Sequence, residues 1–251
     1  MIFVKQTHST STLLREQYTE SLPHLYTIRT DFQTAGRGQA GNSWESEEGK
    51  NLLFSTLLKY SNLLATEQWR LSMLVTVALW EVLAMYLPSN QLSIKWPNDI
   101  YYGDKKLVGI LIENSLLGRY VDHSIAGIGI NVNQTRWQSS APNPISMKEI
   151  TGEEYQVEEL LDNWIKTVKK MEKYSTDKLS AVYLQHIYRK KGWYKYVDRE
   201  VSVMPTAIAS ADTEEAFFAE FVGITHQGEL VLRKENNKEQ TYHFKQIRFV
   251  I

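Results

Sequence analysis

The sequence contains no cysteine among its 251 residues. This absence excludes disulfide bonds, thiolate zinc sites, iron–sulfur clusters and a catalytic cysteine nucleophile. It is consistent with a reducing compartment, and the cytoplasm is the location that we expect. The N-terminus lacks a basic segment followed by a long apolar core, so no signal peptide is expected. No apolar run is long enough to span a bilayer, and no membrane association is predicted.

An excess of charge of either sign is also lacking. The chain has 28 Lys and Arg against 29 Asp and Glu, which gives a formal net charge of -1. Such a balance argues against a general nucleic-acid-binding protein. The one short basic cluster, Arg189-Lys190-Lys191 before Gly192, is interpreted as the C-terminal turn of a helix. With 43% hydrophobic residues, a chain of this length can bury a substantial core.

The most unusual stretch that is present lies at residues 34–46, which we call the glycine loop. Gly36, Gly38 and Gly41 fall within six residues, with Arg37 between the first two and Trp44 just beyond. Glycines let backbone N–H groups approach a ligand closely, and arginine suits carboxylates and phosphates. The loop lacks the Gly-Lys-Ser/Thr of a P-loop. By itself the pattern fits an ordinary flexible loop equally well.

Hydrophobic periodicity divides the chain into a larger domain, residues 1–192, and a smaller one, residues 193–251. The larger domain has predicted strands at 2–5, 26–32, 51–58 and 123–133 and on both sides of Gly103-Asp104, with predicted helices at 66–87, 157–171 and 178–191. In the smaller domain, predicted strands lie at 199–204, 216–224, 229–233, 240–244 and 247–251. Five short strands separated by turns predict a small antiparallel barrel or sandwich.

Polar residues interrupt the predicted strands of the larger domain. Pro97 breaks one strand beside Asn98 and Asp99, so we expect these side chains at a strand end. Lys95 and Lys106 lie among apolar neighbours on either side of the pair. Lysines on strands usually protect edges, but two of them around an Asn-Asp pair favour an anion site with a carboxylate that could bind Mg²⁺.

Glycines also alternate in the predicted strand that ends at Asn131. A glycine weakens a strand, so Gly127 and Gly129 suggest that a ligand or another backbone approaches closely. Packing of a helix against the strand would explain them equally well.

Four motifs of this chain together resemble the biotin–protein ligases, which attach biotin to carboxylase carrier proteins. They are Gly36-Arg37-Gly38-Gln39 through Trp44, Lys95-Trp96-Pro97-Asn98-Asp99, residues 106–113 (Lys-Leu-Val-Gly-Ile-Leu-Ile-Glu) and Gly127-Ile-Gly-Ile-Asn131. The resemblance extends from Ser9 to the C-terminal strands. It implies an α+β fold, in which a mixed sheet backed by helices (a class II synthetase-like core) is followed by a small SH3-like β-barrel.

The resemblance also implies a reaction and its residues. Biotin would be activated by ATP as biotinyl-5′-AMP and then transferred to a carrier lysine, with Mg²⁺ as counter-ion. Lys106 and Arg37 are the expected catalytic residues, and Asp99 is expected near Mg²⁺ on the ATP phosphates. Expected biotin contacts are Ser9, Thr10, Ser11, Gln33, Gly36, Arg37, Gly38, Lys106 and Gly109. Expected ATP or adenylate contacts are Gly38, Gln39, Trp44, Lys95, Asn98, Asp99, Lys106 and Asn131.

The chain departs from the family pattern at two of these positions. The family usually has Asn where this chain has Ser11, and it often has Arg where this chain has Gln39. The second departure removes a positive charge beside the expected adenylate. Either the adenylate is retained less firmly, or another group such as Lys95 takes over the role.

The expected partner is the biotin carboxyl carrier protein of acetyl-CoA carboxylase or a related carboxylase, and a homodimer is left open. Because the ligase motifs begin within the first ten residues, no N-terminal DNA-binding domain and no DNA binding are expected. A lipoate–protein ligase and a non-catalytic biotin or nucleotide sensor are the alternatives. The Lys-Trp-Pro-Asn-Asp run and the Gly-Arg-Gly-Gln loop favour biotin, and the presence of both Lys106 and Asp99 disfavours the sensor.

Overall fold

A computed structural model of the chain describes residues 1–39, 42–138, 143–199 and 216–251. The chain divides into two compact units, Met1–His186 and Ile187–Ile251. The boundary at residues 192 and 193 stays a prediction of the domain limits. Among the described residues, no helix is both long enough and apolar enough to cross a membrane.

The first unit is built on a seven-stranded mixed sheet. Its strands are β1 (Ile2–Thr7), β2 (Thr27–Gln33), β3 (Leu52–Leu58), β4 (Leu92–Lys95), β5 (Asp99–Tyr102), β6 (Lys105–Leu117) and β7 (Tyr120–Ile130). They lie in the order β1-β2-β3-β7-β6-β5-β4. β1 and β2 are parallel and the other neighbours are antiparallel, so the expected mixed sheet is confirmed.

Turn chemistry explains the β4–β5–β6 region. Pro97 supplies no backbone N–H, and the chain reverses there, so that β4 and β5 pair antiparallel. The β5–β6 turn contains Gly103, whose φ of 56° is the left-handed conformation that glycine adopts at little cost. The predicted Gly103-Asp104 hairpin turn is therefore confirmed.

Within the part of this unit that the structure describes, five α-helices accompany the sheet: α1 (Thr10–Glu16), α2 (Trp69–Leu83), α3 (Met147–Thr151), α4 (Val157–Met171) and α5 (Thr176–Gln185). On one face of the sheet, Phe54 of β3 contacts Trp164 of α4 edge to face, with ring centroids 5.0 Å apart. On the other face, Leu14 of α1 packs with Leu57 and Ile125. The amphipathic spacing predicted for α4 is confirmed, with Trp164 and Val168 fully buried.

Two predicted helices were too long. The first begins as a short 3₁₀ turn at Ala65–Glu67 and then runs as α2 to Leu83, short of residue 87. The second ends at Gln185 rather than at residue 191. Arg189 has a φ of 58°, and its guanidinium donates to the carbonyl of Val250 at 2.7 Å. Contacts distant in sequence thus override a local helical pattern.

The second unit contains a five-stranded antiparallel sheet, consistent with the expected small barrel-like domain. Its strands are β8 (Trp193–Asp198), β9 (Ala216–Ile224), β10 (Leu230–Lys234), β11 (Glu239–Tyr242) and β12 (Ile247–Phe249), in the order β11-β10-β9-β8-β12. β8 was not predicted. Of the strand predicted at 199–204, residues 200–204 lie outside the described residues, and Arg199 follows the end of β8.

Candidate functional site

The face of the large sheet that lies opposite α4 is nearly bare at its centre. Gly127 and Gly129 of β7 lie two residues apart and therefore on the same face. Gly109 of β6 lies directly opposite Gly129 in the antiparallel register. We call these three residues the glycine floor. They leave room above the strands that larger side chains would fill.

The indole of Trp44 occupies part of this room. A Cβ built on Gly109 would lie 2.5 Å from Cζ3 of Trp44, and a Cβ on Gly129 would lie 2.5 Å from its Nε1. Real carbon atoms do not approach so closely, so only glycine at these positions allows the indole to lie there. The buried Nε1–H of Trp44 has no hydrogen-bond partner among the described residues. It is an unpaired donor placed against the floor.

A group of buried hydroxyls adjoins the floor at the start of α1. Ser9, Thr10 and Ser11 are each less than 5% exposed. The backbone N–H and the hydroxyl of Thr10 donate to Oε1 of Gln33, at 2.8 and 3.2 Å. The Thr10 hydroxyl also lies 2.7 Å from that of Ser55 in β3. We call these five residues the hydroxyl pocket.

The pocket and the floor are contiguous. A Cβ on Gly127 would lie 3.4 Å from Oγ of Ser55 and 3.5 Å from Cβ of Ser11. The sequence left two explanations for the glycines of this strand, and each applies at one position. Gly129 allows the close approach of the Trp44 indole, and Gly127 packs against Ser11 of helix α1.

Lys106 lies at the other end of the floor. A Cβ on Gly109 would be 3.3 Å from Cε of Lys106, and Nζ of Lys106 is 2.7 Å from Oδ2 of Asp99. Both side chains are partly buried, with exposures of 33% and 20%, so solvent screens this ion pair only in part. A cation and a carboxylate therefore lie together beside the indole.

Asn131 holds the backbone around Lys106, at this end of the glycine floor. Its Nδ2 donates to the carbonyls of Lys106 and Ile145, at 3.3 and 3.1 Å. The N–H of Lys106 donates to the carbonyl of Asn143 at 2.7 Å. Oδ1 of Asn131 is buried without a partner among the described residues.

The turn between β4 and β5 meets the glycine loop. Nε2 of Gln39 donates to Oδ1 of the buried Asn98 at 2.9 Å and to the carbonyl of Ile110 at 3.1 Å. Oε1 of Gln39 is buried and lacks a donor among the described residues. Tyr183 supports the turn from below by donating to the carbonyl of Pro97 at 2.8 Å. Burial, with the Asp99 carboxylate nearby, raises the pKa of the Tyr183 hydroxyl, which therefore stays a neutral donor.

The glycine loop itself is closed by backbone hydrogen bonds. The N–H of Gly38 donates to the carbonyl of Asn42 at 2.6 Å, and the N–H of Trp44 donates to that of Gly36 at 2.9 Å. Arg37 extends to β6, where its Nη2 lies 2.9 Å from Oε1 of Glu113. In its described part, the loop has the contacts of an ordered segment.

The predicted residues thus fall into neighbouring groups. Ser9, Thr10, Ser11 and Gln33 form most of the hydroxyl pocket, and Trp44 with Gly109 lies beside Lys106, Asp99 and Asn131. Gln39 is bound to Asn98, whereas Lys95 lies over the ring of Tyr101, 5.0 Å from its centroid. Arg37 is paired with Glu113, and no contact between Arg37 and Lys106 is found in the described part of the chain.

Sequence reasoning assigned no individual role to Ser55 or Glu113, and it named Gly127 and Gly129 only as positions of close approach. The alternating glycines were a usable signal, because their spacing places them on one face. Ser55 gave none, because it is a single hydroxyl in an apolar strand. Among the described residues, no cluster of three or more His, Asp or Glu side chains could hold a metal ion.

Comparisons with known proteins point to one family. The model of the Biotin/lipoate A/B protein ligase family matches residues 3–131. The bifunctional ligase/repressor BirA of Bacillus spizizenii is 35% identical over 134 residues, which are 53% of this chain and 41% of that protein. The biotin--[acetyl-CoA-carboxylase] ligase of Paracoccus denitrificans is 34% identical over 135 residues, 52% of this chain and 55% of that protein. The match therefore spans about half the length of these relatives.

A solved structure matches over nearly the whole chain. The biotin protein ligase from Aquifex aeolicus in complex with biotin and ATP superimposes with a TM-score of 0.73 and 25% identity. The match covers 99% of this chain and 98% of that chain.

Proposed function

The chain belongs to the Biotin/lipoate A/B protein ligase family, and from that premise we propose that it is an ATP-dependent biotin–protein ligase. One observation carries the choice of substrate. The hydroxyl pocket, the glycine floor and Lys106 follow one another along a single sheet face. This order suits a ligand with a hydrogen-bonding head, an apolar middle and an anionic end. Biotin has these parts as its ureido ring, its thioether ring with the aliphatic chain, and its carboxylate.

In the proposed first step, an oxygen of the biotin carboxylate attacks the α-phosphorus of ATP. The new O–P bond forms as the bond to the β-phosphate oxygen breaks, so that biotinyl-5′-AMP and pyrophosphate result. Both reactants are anions, and the Lys106 ammonium could lie between them once it leaves Asp99. Fixed positive charge at such a position typically lowers a barrier by about 3–4 kcal/mol.

In the second step, the neutral amine of a carrier lysine attacks the biotinyl carbonyl carbon. The C–N bond forms, the amine loses a proton and AMP leaves. No covalent bond to the enzyme is needed, so the absence of cysteine is no obstacle. We propose that the acceptor is a biotin carboxyl carrier protein, as the name of the Paracoccus denitrificans relative suggests for that enzyme.

We assign the remaining roles by position. The hydroxyl pocket would bind the ureido ring, while Gly36 and Gly38 would let the loop backbone lie close to the ligand. The unpaired atoms of Trp44, Gln39 and Asn131 would pair with the ligand. An unpaired buried polar atom costs about 1–3 kcal/mol, so ligand binding would remove that penalty.

Lys95, Asn98 and Arg37 are proposed to lie near the adenylate or its phosphates. Mg²⁺ fits the site as an ion carried by ATP, because Mg²⁺ commonly binds substrate phosphates and only one or two carboxylates. Asp99 is the residue that would hold it. Such an ion would neutralise phosphate charge when bound.

The test is a pyrophosphate-release assay with purified protein, MgATP and either biotin or lipoic acid. We expect release with biotin only, together with biotinyl-5′-AMP detectable by mass spectrometry. Release with lipoic acid alone would identify a lipoate ligase, and biotin binding without release would identify a sensor. A carrier domain from the same cell should then gain one biotin on its lysine, and an unmodified carrier would refute the transfer step.

A further inference from the structure

A single carboxylate joins three elements of the site. Glu113 lies on β6, four residues beyond Gly109 and on the same face of the sheet. Its Oε1 is 2.9 Å from Nη2 of Arg37 in the glycine loop, and its Oε2 is 2.5 Å from Nη2 of Arg15 in α1. The loop, the helix that carries the hydroxyl pocket and the strand that carries Lys106 thus meet at one side chain.

The negative charge of Glu113 holds Arg37 against the sheet. The guanidinium groups of Arg37 and Arg15 both lie against this one carboxylate, and they would repel each other if its negative charge were removed. Removal of the Glu113 charge would therefore release the flexible side chain of Arg37 from the sheet. The contact to Glu113 uses one terminal nitrogen of Arg37, and a guanidinium carries five N–H donors, so donors remain for an anionic ligand.

We propose that Glu113 is a positioning residue of the ligase, which acts through Arg37 to hold the glycine loop over bound biotin and adenylate. This inference rests on the proposed function, because it concerns how the same site retains its ligands. Arg15 lies 2.5 Å from the second oxygen and adds positive charge beside it, in a contact that lacks hydrogen-bond geometry. The same contact predicts that ligand retention weakens with rising salt, since all three side chains are partly exposed.

The test compares Glu113→Gln with the wild type by calorimetric titration with biotin and by release of preformed adenylate. The amide keeps the shape and removes the charge. We expect biotin affinity to fall about five-fold, as befits partly exposed but charge-assisted bonds, and adenylate release to accelerate by a similar factor. Glu158→Gln is the matched control, because it breaks another Arg–Glu pair of 2.9 Å, to Arg29. That control should leave biotin affinity unchanged.

A double-mutant cycle separates positioning from general stability. If Glu113 acts through Arg37, Glu113→Gln should add nothing to Arg37→Ala. Arg15→Gln offers a second probe and should weaken binding less than Glu113→Gln. Unchanged affinity in Glu113→Gln would overturn the inference, as would tighter binding or an equal loss in the Arg37→Ala background. A wild type that binds no biotin would instead refute the proposed function.

Discussion

The two faces of the seven-stranded sheet use the same strands for opposite purposes. On one face, Phe54 and Ile128 stand opposite each other in register and are buried, with Phe54 against Trp164 of α4. The next residues along, Ser55 and Gly129, point to the other face and carry little or no side chain. Large apolar side chains stabilise the fold on the first face. At the centre of the second face the glycine floor carries none, and this is the surface that we propose binds the ligand, whereas away from the floor Leu57 and Ile125 pack against Leu14. Substitutions one residue apart should therefore separate folding from ligand binding.

Lys106→Ala should give the largest effect on the binding face. Without the ammonium beside the glycine floor, the carboxylate and α-phosphate would lose the positive charge that we propose lies between them, and we expect adenylate formation to slow about 1,000-fold. The folding free energy should change little, because the lost partner Asp99 is partly exposed. Single-turnover formation of biotinyl-5′-AMP is the measurement. A wild-type rate in this variant would show that Lys106 is not the adenylation residue.

Gly129→Ala and Ile128→Ala form the sharpest pair. The added methyl of Gly129→Ala would collide with the Trp44 ring and displace it from the floor, so biotin affinity should fall about 100-fold, as overpacking typically costs about 1–3 kcal/mol. Ile128→Ala would leave a cavity under the helices and lower the free energy of unfolding by about 2–4 kcal/mol, with biotin affinity within about two-fold.

Calorimetry with biotin and urea denaturation are to be run on both variants. Intrinsic fluorescence should report the displacement of Trp44 in Gly129→Ala alone. If Ile128→Ala loses biotin as severely as Gly129→Ala does, the two faces are not functionally separate.

The sequence allowed one face to be predicted more completely than the other. Apolar periodicity was sufficient to place α4 and its buried Trp164, because burial of an amphipathic stripe depends on local spacing. The binding face depends on contacts between distant segments. The strand order and the path of the glycine loop bring Trp44 onto Gly109 and Gly129. They also bring Arg37 and Arg15 to Glu113. No local sequence pattern predicts either arrangement.

The resemblance supplied what periodicity could not, but only for positions within its motifs. Lys106, Asp99, Asn98 and Gln39 were named from motifs and are indeed neighbours in the structure. Ser55 lies in an apolar run outside every motif. Its place beside the glycine floor follows only from the pairing of β3 with β7. Arg189 illustrates the converse error, since its basic cluster looked helical locally while its left-handed φ reflects distant carbonyl contacts.

Arg37→Ala should weaken ligand binding with little effect on folding. Its side chain is 42% exposed, so the loss of its ion pair should change the free energy of unfolding by less than about 1 kcal/mol. Loss of a charged donor to the ligand should lower biotin and adenylate affinity about ten-fold. Arg119→Ala, at an exposed position before β7, is the control and should bind normally. Equal biotin affinity in both variants would remove Arg37 from the site.

The smallest effect concerns a carboxylate at the end of α4, remote from the glycine floor. Oε1 of Glu172 lies 2.5 Å from Nε2 of His24 and accepts the Tyr60 hydroxyl at 2.7 Å. Since Nδ1 of His24 accepts the N–H of Lys59, the ring hydrogen is on Nε2, which donates a hydrogen bond to Glu172. Burial acts to raise the pKa of the Glu172 carboxyl, but the hydrogen bonds from His24 and Tyr60 outweigh it, so the pKa lies below its ordinary value.

A carboxyl whose pKa is lower in the folded than in the unfolded state stabilises the fold above the unfolded value and loses that effect as the pH falls. Glu172→Gln should therefore lower the free energy of unfolding by about 1 kcal/mol at neutral pH, and the difference from the wild type should shrink below about pH 4.5. Urea denaturation from pH 7 to pH 3 measures it. Biotin affinity at pH 7 should be unchanged, because the carboxylate stabilises the fold without contributing to the glycine floor. A stability difference that persists undiminished at pH 3 would contradict the lowered pKa, and weakened biotin binding would contradict the separation between folding and binding surfaces.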